Sequence, residues 1–360
     1  MVPSVIRNAD DTAARLKLNA RQAAVLRAMV TAYVGEAAPI GSTTLSHLIP
    51  EKLSSASVRS TLAELVRLGL AEQPHLSAGR VPTERGLRFF VDQLLDPADL
   101  GAYERRTIEY SVDDAAVDSL IPVASQLLSE LTHQLGFVVT PRLDRVVLQH
   151  VSLVRITTDR ILVVLVSQSG EAHRRLIDDD PGSDQAELDQ IAAMLNERIM
   201  GRTLPEVRAA LAREARLLRR RADRLLTRAI DLGARALACD DGEAVDLVIE
   251  TRLALLDQPE FRDPRRIRDI FAAVETKERL LEVIDQMLGD EGVSVAFGEE
   301  VDEPSLRHCA LVAARYGDLA DDVQGPAGVL GVIGPSRMDY GRVIALVEYL
   351  SQVMTERLRA

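Results

Sequence analysis

The sequence has no tryptophan, only two cysteines, and aromatic residues make up just 3% of it. Two cysteines, Cys239 and Cys309, are too few for a disulfide framework, which excludes the small disulfide-stabilised domains of secreted proteins. The first thirty residues lack the apolar stretch of a secretory signal, so we expect a cytoplasmic protein. The longest unbroken aliphatic run, Ile161 to Val166, is far shorter than the roughly 20 residues that a membrane-spanning helix needs.

Charge is distributed unevenly along the chain. The 360 residues, 47% of them apolar, suffice for two or three domains with buried cores and carry a net charge of −12. Residues 1–95 contain 11 Lys and Arg against 8 Asp and Glu, a net charge of +3, which leaves −15 for residues 96–360. Because salt screens the acidic remainder beyond about 8 to 10 Å, a locally basic face can still bind phosphate groups. The overall acidity therefore does not exclude a DNA-binding protein.

Three amphipathic helices are predicted in the N-terminal quarter. Each follows a side chain that can accept a hydrogen bond from the first helical turn, namely Asn19, Ser42 and Ser54. Apolar residues recur at intervals of three and four, and they are Val25, Leu26, Met29, Val30 and Tyr33, then Leu45, Leu48 and Ile49, then Val58, Leu62, Leu65 and Val66. A short helix, a tight turn and a second amphipathic helix form the helix-turn-helix pattern, whose second helix lies in the major groove of DNA.

The exposed face of the third predicted helix carries short hydroxyl side chains and one arginine. These residues are Ser55, Ser57, Arg59 and Ser60, and no acidic residue precedes Glu64. Small hydroxyls let the backbone approach DNA and donate to phosphates or base edges, and arginine can bind guanine or a phosphate. The pattern favours a recognition helix. The alternative is an ordinary three-helix bundle with a serine-rich solvated face.

A basic loop, HLSAGRVPTERG, follows the third helix and lies between two predicted strands. After it, Thr83 is the predicted N-cap of a fourth helix with the apolar residues Leu87, Phe90, Val91 and Leu94. A helix-turn-helix followed by a hairpin is a winged helix. In this wing, His75 and Arg80 could bind phosphate or the minor groove, and Ser77 could donate a hydrogen bond. Gly79 permits a positive φ or a close backbone approach. The alternative is a turn that Gly79 merely shapes and a solvated Arg80.

The acidic remainder contains two groups of predicted strands with a helical pattern between them. The first group lies within 146–177, and the second comprises 293–297, 309–314 and 328–333, followed by a helix at about 339–357. This split is typical of one α+β domain interrupted by a helical insertion. Ser336 and Asp339 have the S-x-x-D spacing that is close to a capping box, so we interpret GPSRMDY as the entrance to the last helix rather than a ligand site.

The predicted insertion contains an arginine-rich segment. Residues 208–235 hold nine arginines, including Arg219, Arg220 and Arg221, and a basic helix can bind nucleic acid. The segment also places apolar residues near one face, and these are Val207, Leu211, Leu218, Leu225 and Leu232. We therefore favour a packing helix at a dimer or domain contact, whose arginine stems lie over apolar surface.

Patterns for catalysis or metal binding are weak. The six histidines lack the spacing of metal ligands, and His308 and Cys309 would point to opposite faces of a strand. The glycines of GVLGVIG fit neither the dinucleotide loop nor the phosphate loop, and the segment is better interpreted as a strand. Residues 178–180 are acidic but have no nucleophile or obvious basic partner beside them. We expect a protein that is not an enzyme and that holds no metal and no cofactor.

Four stretches of the chain resemble one family. They are SSASVRSTLAELVRLGLAEQPHLSAGRVPTERGLRFFVDQLL, LNERIMGRTL, LLDQPEF and LGVIGPSRMDYGRVIALVEYL. From about residue 18 to the carboxyl end, the chain resembles the HrcA family of bacterial heat-inducible transcription repressors, whose hallmark is a Q-P-H-x-S-A-G-R-V/I-P-T wing. Two positions depart from the family, which commonly has Pro where this chain has Ser55 and Asn where it has Ser60. Since an amide can read adenine, the second departure concerns base preference.

The resemblance implies an α+β multidomain fold with an N-terminal winged helix-turn-helix, a GAF-like α+β domain and a helical dimerisation domain inserted into the GAF-like one. The implied parts are a flexible tail at 1–17, a winged-helix DNA-binding domain at 18–96, the GAF-like domain at 100–180 and 288–360, and the insertion at 181–287. The residues that match the family's recognition helix and wing are Ser55, Ser57, Val58 and Arg59, then His75, Ser77, Ala78, Gly79 and Arg80.

The resemblance also implies how the protein acts. It implies a homodimer on an inverted-repeat operator upstream of chaperone operons, derepressed on heat stress, with the GroE-type chaperonin as the partner that keeps the repressor active. Two other functions stay open. One is a small-molecule-sensing regulator whose GAF-like domain binds an effector, and the other is a protein-interaction scaffold that uses the arginine-rich helix.

Overall fold

The chain forms two compact units. The computed structural model describes residues 16–75, 78–96, 98–116, 119–140, 147–168, 172–178, 184–203, 247–249, 258–262, 277–288, 292–301, 303–317 and 328–359, with short stretches between 206 and 235 and single residues at 268 and 270. The first unit comprises Met1–Val138, Leu247–Arg315 and Val329–Met354, and the second Val139–Asp246, Tyr316–Gly328 and Thr355–Ala360. Among these described residues, no helix combines the length and apolarity needed to cross a membrane.

The first unit begins with an N-terminal module, residues 18–96. Its elements are α1 (Ala20–Glu36), α2 (Ser42–Leu48), α3 (Ser55–Arg67), β1 (Ala71–Glu72), β2 (Val81–Pro82) and α4 (Glu84–Phe89), which a π-helical turn at Phe90–Leu94 continues. The two strands pair antiparallel, with Ala71 opposite Pro82. One face of each helix is buried, at residues that include Leu26, Leu45, Leu62 and Leu87. The predicted helices and the predicted hairpin strands are therefore present.

Three predicted helix caps are confirmed. The Oδ1 of Asn19 accepts a hydrogen bond from the backbone N–H of Gln22 at 2.9 Å, and the Gln22 side chain accepts one from the N–H of Asn19 at 3.0 Å. The Oγ of Ser54 accepts the N–H three residues further on at 3.2 Å. The Oγ1 of Thr83 accepts the N–H of Gly86 at 3.0 Å. Each bond satisfies an amide of a first helical turn that has no partner within its own helix.

The predictions for α2 are partly wrong. Its N-cap is Gly41, and Ser42 is already the first helical residue, so no side chain caps this helix. Leu48 was expected in the buried stripe but is 52% exposed, whereas Ile49 is buried. The helix ends at Ile49, where the backbone becomes extended. This change of direction points the side chain of Ile49 inward in place of Leu48.

The remaining elements follow in chain order. They are α5 (Ala102–Asp114), α6 (Leu120–Thr132), β3 (Leu135–Val139), β4 (Val147–Thr157), β5 (Arg160–Ser167), β6 (Ala172–Asp178), α7 (Gln185–Ile199), β7 (Arg202–Thr203), β8 (Leu247–Val248), α8 (Lys277–Met287), β9 (Val293–Phe297), β10 (Cys309–Tyr316), β11 (Gly328–Pro335) and α9 (Tyr340–Arg359). The described chain thus mixes helix and sheet, as the predicted α+β class requires.

A five-stranded sheet with strand order β8-β3-β11-β10-β9 organises the rest of the first unit. β9 and β10 pair antiparallel, with Ala310 opposite Phe297 and Ala314 opposite Val293. All residues of β3, β9 and β11 are buried, so both faces of these strands are covered. The GVLGVIG segment lies in β11, which confirms its interpretation as a strand. We call this sheet, with α5, α6, α8, α9 and the turn at Pro259–Arg262, the sheet core.

The entrance to α9 differs from the predicted capping box. The helix begins at Tyr340, and the Oδ1 of Asp339 accepts the N–H of Arg342 at 3.3 Å, which makes Asp339 the cap. The N–H of Ser336 instead donates to the carbonyl of His308 at 3.2 Å. The segment is a helix entrance as predicted, but Ser336 does not cap the helix, because its N–H bonds to His308 just before β10.

The second unit contains a four-stranded sheet with order β6-β5-β4-β7, covered on one face by α7. The side chain of Asn196 on α7 accepts the N–H of Val151 on β4 at 2.7 Å and donates to its carbonyl at 2.9 Å. Those two bonds fix the helix on the sheet. The apolar core between α7 and the sheet includes Leu148, Leu153, Ile161, Val163, Leu188, Ile191 and Leu195.

This arrangement differs from the expected division of the chain. The strands at 147–178 were expected in one domain with those at 293–333, but they pair with each other and with β7 to form a separate sheet. The division therefore falls at Val138 and Val139 and not between 180 and 181. Strand patterns show which segments are extended but not which partner they pair with. Most of the arginine-rich segment, including Arg219 to Arg221, lies outside the described residues.

Gly331 on β11 is required by close packing. A Cβ at this position would lie 2.3 Å from the carbonyl oxygen of Val312, so Gly331→Ala forces the strands apart. We expect this variant to lose about 1 to 3 kcal/mol of stability. The matched control is Gly35→Ala in α1, where nothing lies within 4 Å and alanine should stabilise the helix by up to about 1 kcal/mol. Urea unfolding followed by circular dichroism measures both, and equal midpoints for the two variants would contradict the expectation.

Candidate nucleic-acid interface

The helix α3 presents one buried and one free face. Val58 and Leu65 are fully buried against the module. On the other side, Arg59 and Ser60 are exposed and Ser55 is half-buried. Within the described part of the chain, the side chains of these last three residues make no hydrogen bond or ion pair. They are therefore available to an external partner.

The acidic residue of α3 is turned away from this free face. The Nε2 of Gln22 on α1 donates to the Oε2 of Glu64 at 2.9 Å. The half-buried Ser57 has its carbonyl oxygen bound by the hydroxyl of Thr61, at 3.1 Å. Both bonds lie on the side of α3 that faces the module. The sequence shows that no acidic residue of α3 precedes Glu64, but nothing in it predicts the hydrogen bond between Glu64 and Gln22.

The hairpin is attached to the module by a third backbone segment. Ile40, between α1 and α2, forms a β-bridge with Arg80: each N–H donates to the other's carbonyl at 2.9 Å. At the base of the hairpin, the hydroxyl of Thr83 donates to the carbonyl of Gly69 at 2.7 Å. The hairpin is therefore tied to the chain just before α2 and just after α3. Sequence reasoning missed Ile40 because a single bridging residue leaves no alternating pattern.

Hydrogen bonds join the described residues on either side of the hairpin tip. The N–H of Ala78 donates to the carbonyl of His75 at 2.9 Å, and the Nε2 of Gln73 donates to the carbonyl of Ala78 at 3.1 Å. The side chain of His75 is exposed. Ser77, one of the predicted wing residues, lies outside the described residues.

Gly79 is a glycine because of close approach, not because of its φ angle. A Cβ there would lie 2.4 Å from the carbonyl oxygen of Ile40 and 2.7 Å from its nitrogen. The neighbouring Arg80 is half-buried, and no acceptor within the described residues meets its buried Nε. The stem of Arg80 is thus held at the bridge.

Known proteins resemble this chain over nearly its full length. The family model described as HrcA protein C terminal domain matches residues 118–344. A heat-inducible transcription repressor HrcA from Sinorhizobium medicae (strain WSM419) is 35% identical across 99% of this chain and 100% of its own length. The same-named protein of Brucella canis (strain ATCC 23365 / NCTC 10854 / RM-666) is 37% identical across 95% and 97%. A crystal structure of a hypothetical protein, 22% identical, matches with a TM-score of 0.60 over 95% of this chain and 99% of that one, which shows a shared fold.

Replacing Gly79 tests the attachment of the hairpin. Gly79→Ala should separate the hairpin from Ile40, lower stability by about 1 to 3 kcal/mol and accelerate hydrogen exchange at the amides of Ile40 and Arg80. Gly35→Ala in α1 is the matched control, since nothing lies within 4 Å of its added Cβ. Unchanged exchange at the two bridge amides in Gly79→Ala would show that the bridge does not depend on this glycine.

Proposed function

Because this chain belongs to the HrcA family of heat-inducible transcription repressors, we propose that it represses chaperone operons by binding an inverted-repeat operator as a homodimer. The observation that carries the proposal is the free face of α3, where Ser55, Arg59 and Ser60 have no partner within the described chain. A second helix of a helix-turn-helix with such a face suits the major groove. The function of the family and the geometry of the module support the same proposal.

We propose a separate role for each part of the interface. Arg59 reads a base, with guanine as the favoured partner of a forked guanidinium, and the serines of α3 approach phosphates or base edges. The hairpin acts as a wing in which His75, Ser77 and Arg80 contact phosphate or the minor groove. Gly79 holds the wing close to Ile40 and contributes no contact of its own.

The proposed domain layout follows the two units of the chain. Residues 18–96 are the winged-helix domain, the sheet core is the GAF-like domain, and the second unit is the inserted dimerisation domain. Compared with the expected limits of 181–287, this insertion also contains β4, β5 and β6. A twofold axis would place two α3 helices on half-sites separated by one helical turn of DNA or a multiple, about 10 to 10.5 bp each.

We infer that derepression on heating needs no dedicated sensor residue. A folded domain is stable by only about 5 to 15 kcal/mol, so moderate heating exposes apolar surface and weakens a dimer. Binding of the GroE-type chaperonin to such molecules would return them to the active pool, and unfolded proteins would compete for it after heat shock. The name shared by the relatives supports the heat response, and the aliphatic, aromatic-poor composition is compatible with it.

Operator selectivity tests the proposed function. The full-length protein should select an inverted repeat from a randomised duplex pool and bind it at least about a thousandfold more tightly than a scrambled duplex. Affinity should fall steeply with salt, because lysine and arginine contacts to phosphate release counterions. A gel-shift titration over a salt series measures both. Equal affinity for the repeat and the scrambled duplex would refute sequence-specific binding.

Two arginine variants separate base reading from phosphate binding. Arg59→Ala should cost about 1 to 3 kcal/mol on the selected repeat and relax preference at one base pair, since it removes a base contact. Arg80→Ala should weaken binding to all sequences alike and reduce the salt slope by about one. Arg106→Ala, an exposed arginine on α5, is the matched control for loss of one positive charge. If Arg59→Ala weakened every sequence equally, Arg59 would be a phosphate contact.

A further inference from the structure

Arg88 extends from the N-terminal module into the sheet core. It lies on α4, and its side chain is only 8% exposed. Its Nε donates to the Oε1 of Glu300 at 2.8 Å, and its second terminal nitrogen contacts the Oε2 of Glu300 and donates to the carbonyl of Val295 at 2.6 Å. The guanidinium carbon lies 4.9 Å from the ring centre of Phe297. Arg88 therefore contacts Val295 and Phe297 at the end of β9 and Glu300 in the turn that follows it.

Arg337 extends in the opposite direction. It belongs to the segment that leads into α9, and its side chain is 10% exposed. Its Nε contacts the Oε1 of Glu260, and one terminal nitrogen donates to the Oε2 of Glu260 at 2.9 Å and to Gln258 at 3.1 Å. The other terminal nitrogen donates to the carbonyl of Val34 on α1 at 2.8 Å. One guanidinium therefore joins two parts of the sheet core to the last turn of α1.

A third contact lies beside these two. Glu84, at the start of α4, accepts the N–H of Glu299 at 2.9 Å and the hydroxyl of Ser336 at 3.4 Å. Burial raises the pKa of the Glu84 carboxyl above its ordinary value. Burial alone would lower the pKa of Arg88, but its hydrogen bonds and charge contact with Glu300 raise it. Both shifts follow from the partial burial of these groups and from the charges beside them.

The geometry of these contacts restricts rotation as well as distance. A guanidinium that binds a carboxylate through two parallel hydrogen bonds fixes a plane, whereas an ammonium fixes only a point. The fork of Arg88 on Glu300 joins the module to the sheet core directly. The fork of Arg337 on Glu260 lies within the sheet core and fixes the plane of a guanidinium whose remaining nitrogen binds the carbonyl of Val34 in the module. Together these bonds leave the module and the sheet core little freedom to turn. The described residues between Leu94 and Ala102 include no helix or strand that would restrain them instead.

We propose that Arg88 and Arg337 are positioning residues that hold the N-terminal module at a fixed angle on the sheet core. We call the two side chains with Glu300 and Glu260 the arginine clamp. In a homodimer the clamp would fix the separation and relative rotation of the two α3 helices. It would thereby determine which half-site spacing the protein accepts. This inference rests on the proposed function.

Paired variants test the clamp without leaving a buried carboxylate unpaired. These are Arg337→Gln with Glu260→Gln, and Arg88→Gln with Glu300→Gln and Asp92→Asn. Asp92 is included because its Oδ1 lies 3.5 Å from Nη1 of Arg88, and removing one partner of a buried ion pair can prevent folding. Arg337→Lys keeps the charge but not the fork. The matched control is Arg342→Gln, since Arg342 is 46% exposed and pairs with Glu104 inside the sheet core. Circular dichroism confirms that each variant is folded.

The measurement is operator spacing. Duplexes carry the inverted repeat selected by the wild-type protein, with zero to four base pairs inserted between its halves. Two inserted base pairs rotate one half-site by about 70°, so the wild type should lose about tenfold or more in affinity. Both paired variants should lose less than about threefold, and Arg337→Lys should fall between. Arg342→Gln should keep the wild-type profile.

Each other result has a distinct meaning. If the paired variants keep the wild-type spacing profile, or bind every spacing more weakly by the same factor, the clamp does not position the module. If the wild type selects no inverted repeat, the proposed function fails. Hydrogen exchange of the same variants then tests whether the clamp holds the module on the sheet core. Amides of residues 30–36 and 293–300 should then exchange about tenfold faster, with β4 and β5 unchanged. Unchanged exchange at the first two segments would overturn the inference.

Discussion

The guanidinium of Arg337 is the point at which three distant stretches of the chain meet. It binds Glu260 and Gln258 on one side and the carbonyl of Val34 on the other, and Arg88 makes the reciprocal contact with Glu300. These bonds lie within one compact unit, although their partners are separated by more than 200 residues in the case of Arg88. The N-terminal module and the sheet core are consequently connected by directional polar bonds and not only by apolar packing.

Local features of the fold could be predicted from the sequence because their causes are local. Asn19, Ser54 and Thr83 cap helices with atoms at most three residues from the amides they bind, and the hairpin strands flank a glycine- and proline-containing loop. The free face of α3 followed from helical periodicity alone. Leu48 shows the limit, because where a short helix ends decides which apolar residue turns inward.

Long-range features could not be predicted in the same way. The bridge of Ile40 to Arg80, the tie of Gln22 to Glu64 and the two arginine contacts join residues that share no pattern in the sequence. The strands at 147–178 were recognised as strands and expected in one domain with those at 293–333, but they form a sheet of their own, since periodicity does not name a pairing partner. The segment GPSRMDY was interpreted as a helix entrance. Nothing in the sequence predicted that Arg337 of this segment would bind the carbonyl of Val34, which is the segment's longest-range contact.

The base and the tip of the hairpin differ in how they are held. Its base is fixed by backbone bonds to Ile40, which many side chains at that position would satisfy, and by the absence of a side chain at Gly79. The exposed His75 at the tip makes no contribution to that attachment through its side chain. Substitutions at the tip could therefore change what the hairpin touches while its frame stays intact.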